Sequence, residues 1–307
     1  MEKISRREFI KITATTALAI NGLARNTFSQ ESSSEPDLVV VKSDSPDKAT
    51  IDAIESLGGI GKFVKSGDTV VIKPNIAFPN PPDWGSTTNP EVVTAVVKLC
   101  IDAGARSILI IDHPMAKPEQ CLTRTGIIDA VNKVASDKVK VSMEMEQRNY
   151  TEVKLEKAKV LEKTDVHKSI LKADVFINIP VAKSHSATTV SFGMKNLMGL
   201  IWDRAYLHQK IDLHQGIADI STFIKPSLII MDASKALITR GPEGPGRTEK
   251  LNTIISGTDP VAVDAYTVTL SSWNGRKYNP KDIRHISSAY EMKLGEIDIE
   301  KLNIKRL

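Results

Sequence analysis

The feature that most constrains this chain is a series of short, continuous apolar runs separated by stretches of helical spacing. Leu38-Val39-Val40-Val41, Thr69-Val70-Val71-Ile72, residues 107–111, Val175-Phe176-Ile177-Asn178-Ile179, Leu228-Ile229-Ile230-Met231 and Thr253-Ile254-Ile255 read as strands. They show little polar alternation, which is the signature of strands covered on both faces. Residues 47–57 and 90–103 read as helices, and in the second Val93, Val96, Val97 and Cys100 recur at helical spacing. This alternation specifies an α/β fold: a mostly parallel sheet with helices on both faces. Residues 138–163 are charged and less regular and read as an insertion. No internal repeat and no boundary divides residues 38–307, which are expected to form a single α/β domain.

Ahead of this body stands Ser5-Arg6-Arg7-Glu8-Phe9-Ile10-Lys11, which resembles a twin-arginine export signal. The apolar stretch after it, about 12 residues, is too short to span a bilayer, which takes roughly 20. Gly22-Leu23-Ala24 is a plausible cleavage site, so residues 1–24 read as a signal peptide. Residues 25–37, with Gln30-Glu31-Ser32-Ser33-Ser34-Glu35-Pro36, read as a polar linker. The expected location is periplasmic or otherwise extracytoplasmic. The twin-arginine translocation machinery is then a partner, and it carries its cargo folded.

The net charge is +4, and removing residues 1–24 takes away four basic and two acidic side chains. A body so near neutrality, in a chain with only three Trp, five Tyr and seven Phe, argues against nucleic acid as a partner. No second apolar run is long enough for a transmembrane helix. Two cysteines, Cys100 and Cys121, cannot supply a four-thiolate cluster, so an intrinsic iron–sulfur centre is not expected. Cys100 falls on the apolar stripe of its helix and reads as a core residue; a disulfide with Cys121 is the alternative in an exported protein.

In open α/β sheets ligands bind outside the carboxyl ends of the strands. Polar residues immediately after the apolar runs are therefore the candidates: Lys73-Pro74-Asn75, Asp112-His113-Pro114, Lys183-Ser184-His185 and Asp232-Ala233-Ser234. The densest stretch, residues 183–214, adds Lys195, Asn196, His208 and His214. Val190, Met194, Leu197 and Leu200/Ile201 are spaced for one helix carrying Lys195 and Asn196. Asp212 is a good N-cap for the next helix, with Gln215 placed to close a capping box and His214 in the first turn. His185, His208 and His214 form a candidate set for a divalent metal, although the six-residue separation of the last two is not a same-face helical spacing. Lysines at strand ends suggest instead an anion, phosphate or carboxylate, helped by Arg240 in the glycine-rich run Arg240-Gly241-Pro242-Glu243-Gly244-Pro245-Gly246-Arg247. Asp259-Pro260 begins a helix on which Asp264 is a carboxylate among Val261, Val263, Ala265 and Val268, and so needs a partner or a function. No P-loop, dinucleotide fingerprint or serine elbow is present.

Ile72-Lys73-Pro74-Asn75, Lys183-Ser184-His185 and Lys195-Asn196-Leu197-Met198-Gly199 with His208 and His214 together resemble the uncharacterised domain-of-unknown-function family 362. Gly241-Pro242 with Gly246, and Asp259-Pro260-Val261-Ala262-Val263-Asp264-Ala265, resemble its later blocks. The resemblance spans about residues 38–273. It implies no established reaction. Some relatives carry ferredoxin-like cysteine clusters, which implies redox association for them; this chain has no such cluster.

The resulting expectation is an exported enzyme that binds a small anionic molecule. Lys73, Lys183 and Lys195 hold the anion, with Asn75, Asn196 and Arg240 as further ligand-binding candidates. His185, Asp112 and Lys195 are the catalytic candidates, and Asp232 and Asp264 orient neighbours. A non-enzymatic accessory protein with a redox partner, and a metal-dependent hydrolase using His185, His208 and His214, are the alternatives.

Overall fold

The central strands of the sheet feed two separate cores. On the first, Leu38 and Val40 pack into one apolar cluster and Val39 and Val41 into the other. The same division separates Val71 from Val70 and Ile72, and Phe176 from Val175 and Ile177. A strand buried on both faces gains nothing from polar alternation, which is why these runs are apolar throughout. The computed structural model describes residues 35–134, 137–143 and 145–307. Residues 1–24, read above as an export signal, and the expected linker up to residue 34 lie outside the described residues.

In chain order the first elements are β1 (Leu38–Lys42), α1 (Pro46–Ser56), β2 (Thr69–Pro74), α2 (Pro90–Asp102), β3 (Ser107–Asp112), α3 (Pro118–Arg124), α4 (Ile127–Asn132) and β4 (Val139–Met143). Next come β5 (Tyr150–Lys154), β6 (Lys163–His167), α5 (Lys168–Lys172), β7 (Val175–Ile179), β8 (Val181–His185), β9 (Thr189–Ser191), α6 (Gly193–Asn196) and α7 (Arg204–Gln209). The last are α8 (Leu213–Phe223), β10 (Leu228–Leu237), β11 (Thr248–Gly257), α9 (Pro260–Val268), α10 (Arg284–Glu291) and β12 (Ile304–Arg306).

Ten strands form one sheet in the order β12-β1-β11-β10-β7-β2-β3-β4, with β8 on β10 and β9 on β8. Strands β4, β3, β2, β7 and β10 are parallel neighbours; β11 and β9 run against theirs. Residues of α1 and α2 (Ala53, Ile54, Val92, Val96) fill one core, and residues of α8, α9 and α10 (Ile217, Val261, Ile286) fill the other. The fold is thus α/β, with a mostly parallel sheet sandwiched between helices.

Strands β2, β3 and β4 step outward in one direction, after which the chain returns to place β7 on the other side of β2. That reversal opens a crevice at the carboxyl ends of β2 and β7, the position where such sheets bind ligands.

Three expectations change, and the core reading of Cys100 holds. Residues 138–163 are not simply an insertion: β4 extends the main sheet beside β3, while β5 and β6 make a separate two-stranded sheet. Residues 190–201 are not one helix. Val190 and Ser191 pair with β8, α6 is a single turn, and Leu197–Leu200 continues as a 3-10 turn. The turn starts where it does because the Asp264 carboxylate accepts from the backbone N–H of Gly193 (2.7 Å) and Met194 (3.0 Å). Asp212 does cap α8, accepting from the N–H of His214 and Gln215, yet the Gln215 amide turns to Asp219 and leaves the capping box open. Cys100 and Cys121 are free, buried thiols, held up to about 12 and about 11 by burial.

Candidate functional site

The crevice is floored by a buried polar network in which every polar side chain is engaged. Lys73, at the end of β2, sends its ammonium to Asp112 at the end of β3 (2.9 Å), to Asn196 Oδ1 (2.6 Å) and to the Pro74 carbonyl (2.7 Å). Asp112 also accepts from the N–H of Ile76 and of His113, each at 2.8 Å. The Asn196 amide donates to Asn178 Oδ1 on β7 and to the Lys73 carbonyl, and its oxygen accepts a second bond from Asn75. Asn75 Oδ1 accepts from the N–H of Val181. One residue, Asn196, therefore ties β2, β7 and the start of β8 to α6. Burial lowers the Lys73 ammonium and its ion pair with Asp112 opposes that shift. Such fully satisfied networks rigidify what they join.

Above this floor lies a cavity of about 720 Å3. Lys183 and Lys195 line it, 2% and 8% exposed. The Lys183 ammonium donates to the Ser86 carbonyl (2.8 Å) and lies 5.8 Å above the Phe78 ring. Lys195 has no hydrogen-bond or ion-pair partner among the described residues. Burial pulls both amines down to about 7; Lys73 adds to the effect on Lys183, Asp112 opposes it and Lys195 adds further, and Arg204 adds to that on Lys195. Arg204, the first residue of α7, donates to the carbonyls of His113 (2.8 Å) and Pro114 (3.3 Å) and also lines the cavity.

His185 ends β8. Its Nδ1 accepts from the N–H of Ala187 (3.1 Å) and Thr188 (3.3 Å), so that nitrogen carries no proton and Nε2 carries one. Burial, with Lys195 and His208 beside it, drives its pKa down to about 2. His185 is consequently a neutral hydrogen-bond donor and not a base at neutral pH. The lining also includes apolar and aromatic side chains: Phe78, Met115, Met198 and Trp202, the last stacked on His113 at 5.3 Å.

Lys73, Asn75, Asp112, Lys183, His185, Lys195, Asn196 and His208 are thus brought to one cavity. Four candidates are not. Asp264 lies behind α6 as its cap, pushed up to about 7 by burial. Asp232 accepts from Asn89 and Ser234 and lines a separate polar cavity with Asp83, Lys235 and Lys250. Arg240 is exposed at a positive φ of 58°, and only Pro242 of its loop reaches the main cavity. That reach depends on Gly241, whose N–H bonds Ser184 Oγ and whose added Cβ would overlap the Ser184 carbonyl. The histidine triad is not assembled: His185 stacks on His208 at 6.2 Å, whereas His214 stacks on His285 at 6.1 Å. Among the described residues no three His, Cys, Asp or Glu side chains group as metal ligands.

Sequence reading missed Asn178, Arg204 and the aromatic wall. Asn178 had a signal, a lone amide inside an otherwise apolar strand; Arg204 and Trp202 had none beyond lying within the dense stretch.

All of these cavity residues fall inside a segment, residues 70–269, that matches the family described as Domain of unknown function (DUF362). The chain belongs to that family. The family match begins at β2, so β1 and α1 lie ahead of it. A family relative by sequence is the thylakoid-associated protein sll1697 of Synechocystis sp., 27% identical over 221 residues. The alignment covers 69% of this chain and 65% of that relative, so the chain spans slightly less than two thirds of the relative's length. Among solved structures, the lactate racemase apoprotein of Thermoanaerobacterium thermosaccharolyticum is similar over 63% of this chain and 50% of that one, with 14% identity and a TM-score of 0.41. A protein of Thermotoga maritima is similar over 62% and 51%, with 14% identity and a TM-score of 0.38.

Proposed function

We propose that this family member is an exported enzyme that binds a small organic anion in the crevice between β2 and β7. One observation carries the reading: Lys183 and Lys195 are buried on the wall of a 720 Å3 cavity, and among the described residues neither makes an ion pair with a carboxylate. Asp112 is spent on Lys73, and Asp203 caps α7 through the N–H of Tyr206. Uncompensated buried cations are costly, and an anionic ligand removes that cost. His185 adds a neutral donor, and the wall of Phe78, Met198 and Trp202 accommodates an apolar portion of the ligand. Export is supported by the paired arginines at Arg6 and Arg7, and among the described residues no helix is long and apolar enough to cross a membrane.

The test is calorimetric titration of the purified chain with carboxylates and inorganic phosphate. Lys183→Met and Lys195→Met should each weaken binding about tenfold or more while keeping the melting temperature at or above wild type, since each removes a buried charge. Absence of binding by every anion at millimolar concentration, or unfolding of both variants, would show that the lysines serve structure alone. Arg6→Lys/Arg7→Lys should stop accumulation outside the cytoplasm.

A further inference from the structure

We propose that the cavity takes a 2-oxo acid and that Lys195 forms an iminium with its carbonyl carbon. This rests on the anion-binding reading above and assigns the three amines different duties. Lys73 cannot serve as a nucleophile, because its ammonium is held by three acceptors, one of them the Asp112 carboxylate. Lys183 is fixed through Ser86 and the Phe78 ring and stays a cationic anchor for a carboxylate. Lys195 differs from both in having no acceptor for its protons among the described residues. A buried ammonium without acceptors is the form that burial disfavours most, which leaves a reactive lone pair.

The backbone that carries Lys195 is rigid, because the next residue, Asn196, is locked by bonds to Lys73, Asn75 and Asn178. A nucleophile mounted on a fixed turn keeps its reach and direction. The remaining donors then match the ligand. Lys183 and Arg204 face the cavity as cations for the carboxylate, and the Nε2–H of His185 suits the neighbouring carbonyl oxygen. Met198 and Trp202, also in the lining, suit an apolar group on the ligand.

The step balances without an added reagent. The Lys195 ammonium releases one proton, and its nitrogen lone pair attacks the carbonyl carbon; a C–N bond forms, the C=O π pair moves to oxygen, and one N–H proton passes to that oxygen to give a carbinolamine. The released proton returns to the oxygen, the C–O bond breaks, and water leaves. Ammonium plus ketone thus gives iminium plus water, with no net proton change and no redox change. The amine, brought to about 7 by burial, is available for this at neutral pH.

The experiment incubates the full chain with phenylpyruvate and sodium borohydride, which reduces an iminium to a stable secondary amine, and maps the adduct by peptide mass spectrometry. At least about half an equivalent should sit on the peptide containing Lys195, with exposed lysines far below it. Excess 3-phenylpropanoate, which has the carboxylate but no carbonyl, should suppress it, and Lys195→Met should abolish it. Mapping on the wild-type chain decides the matter even where that variant folds poorly. If 3-phenylpropanoate binds in calorimetry but no adduct forms at Lys195, or labelling is spread evenly over surface lysines, the iminium is wrong and the anion site stands. If neither acid binds, both readings fall.

Discussion

Lys73 and Asp112 lie 2.9 Å apart at the carboxyl ends of adjacent strands, and each is no more than 1% exposed. The pair engages the carboxylate on the cavity floor, and among the described residues neither Lys183 nor Lys195 makes an ion pair. Asp112 thereby acts as a positioning group for the floor: its two oxygens are occupied by Lys73 and by the N–H of Ile76 and His113. Asp112→Asn leaves a buried ammonium without its partner and should destabilise the chain by about 3–5 kcal/mol. Urea unfolding measures this. Combined with Lys73→Met, the loss should be smaller than the sum of the two single variants, since the residues share one interaction.

Gly199 is the position where the 3-10 turn after α6 touches that pair. A Cβ added there would overlap Asp112 Oδ1 and the Lys73 side chain. Gly199→Ala should therefore cost about 1–3 kcal/mol through forced displacement in a well-packed region. It should also weaken anion binding, because the displaced Lys73 no longer holds Asn196 and the turn bearing Lys195. A wild-type melting curve together with wild-type affinity in Gly199→Ala would contradict this account.

The strand runs were legible because burial on both faces writes itself as continuous apolar sequence, as in residues 69–72 and 175–179. The strand-end lysines were legible for a related reason: polar residues that abruptly close an apolar run mark the sheet edge. What could not be read was strand order, and with it the fate of each charge. Asp112 reads locally as an acid–base candidate, and only the placement of β3 beside β2 brings Lys73 to it. Asp232 has the same local signature, yet β10 is displaced along the sheet by β7, and its carboxylate supports the start of α2 through Asn89. The helix expected over residues 190–201 failed because Asp264, distant in sequence, dictates where the turn begins. His185 kept its place but changed its role, since only the bonds from Ala187 and Thr188 reveal which ring nitrogen bears the proton.

That tautomer has a direct consequence. His185 should show an unprotonated Nδ1 in nitrogen NMR and no titration between pH 5 and 8, given a pKa pressed down to about 2 by burial and the neighbouring Lys195 and His208. His185→Ala should reduce anion affinity roughly tenfold, the scale of one lost hydrogen bond to a charged group, and His185→Gln should restore part of it. The loss should be the same at pH 5 and pH 7. A pH-dependent loss in that interval would mean that the imidazole titrates there and serves as a base.

The two unneutralised amines give the chain a distinctive pH behaviour with opposite signs for stability and binding. In the unfolded chain a lysine keeps its proton to its ordinary value of about 10.5, whereas Lys183 and Lys195 lose theirs near 7 when folded. Between these limits the unfolded state binds more protons, so unfolding free energy rises with pH. The penalty of the buried ammonium is fully present below pH 7 and is relieved as pH increases above it. The stability of wild type relative to Lys195→Met should accordingly rise from pH 7 to 9, by up to about 1.4 kcal/mol per pH unit. Anion binding needs the protonated amines, so the affinity for a carbonyl-free carboxylate such as 3-phenylpropanoate should fall over the same interval. The expected decline is up to about tenfold per pH unit for each amine that must carry its proton. Calorimetry at pH 6, 7, 8 and 9 reads the affinity, and urea unfolding of the unliganded chain at the same pH values reads the stability. Affinity that is flat across the series would mean that neither lysine carries the charge that the ligand sees.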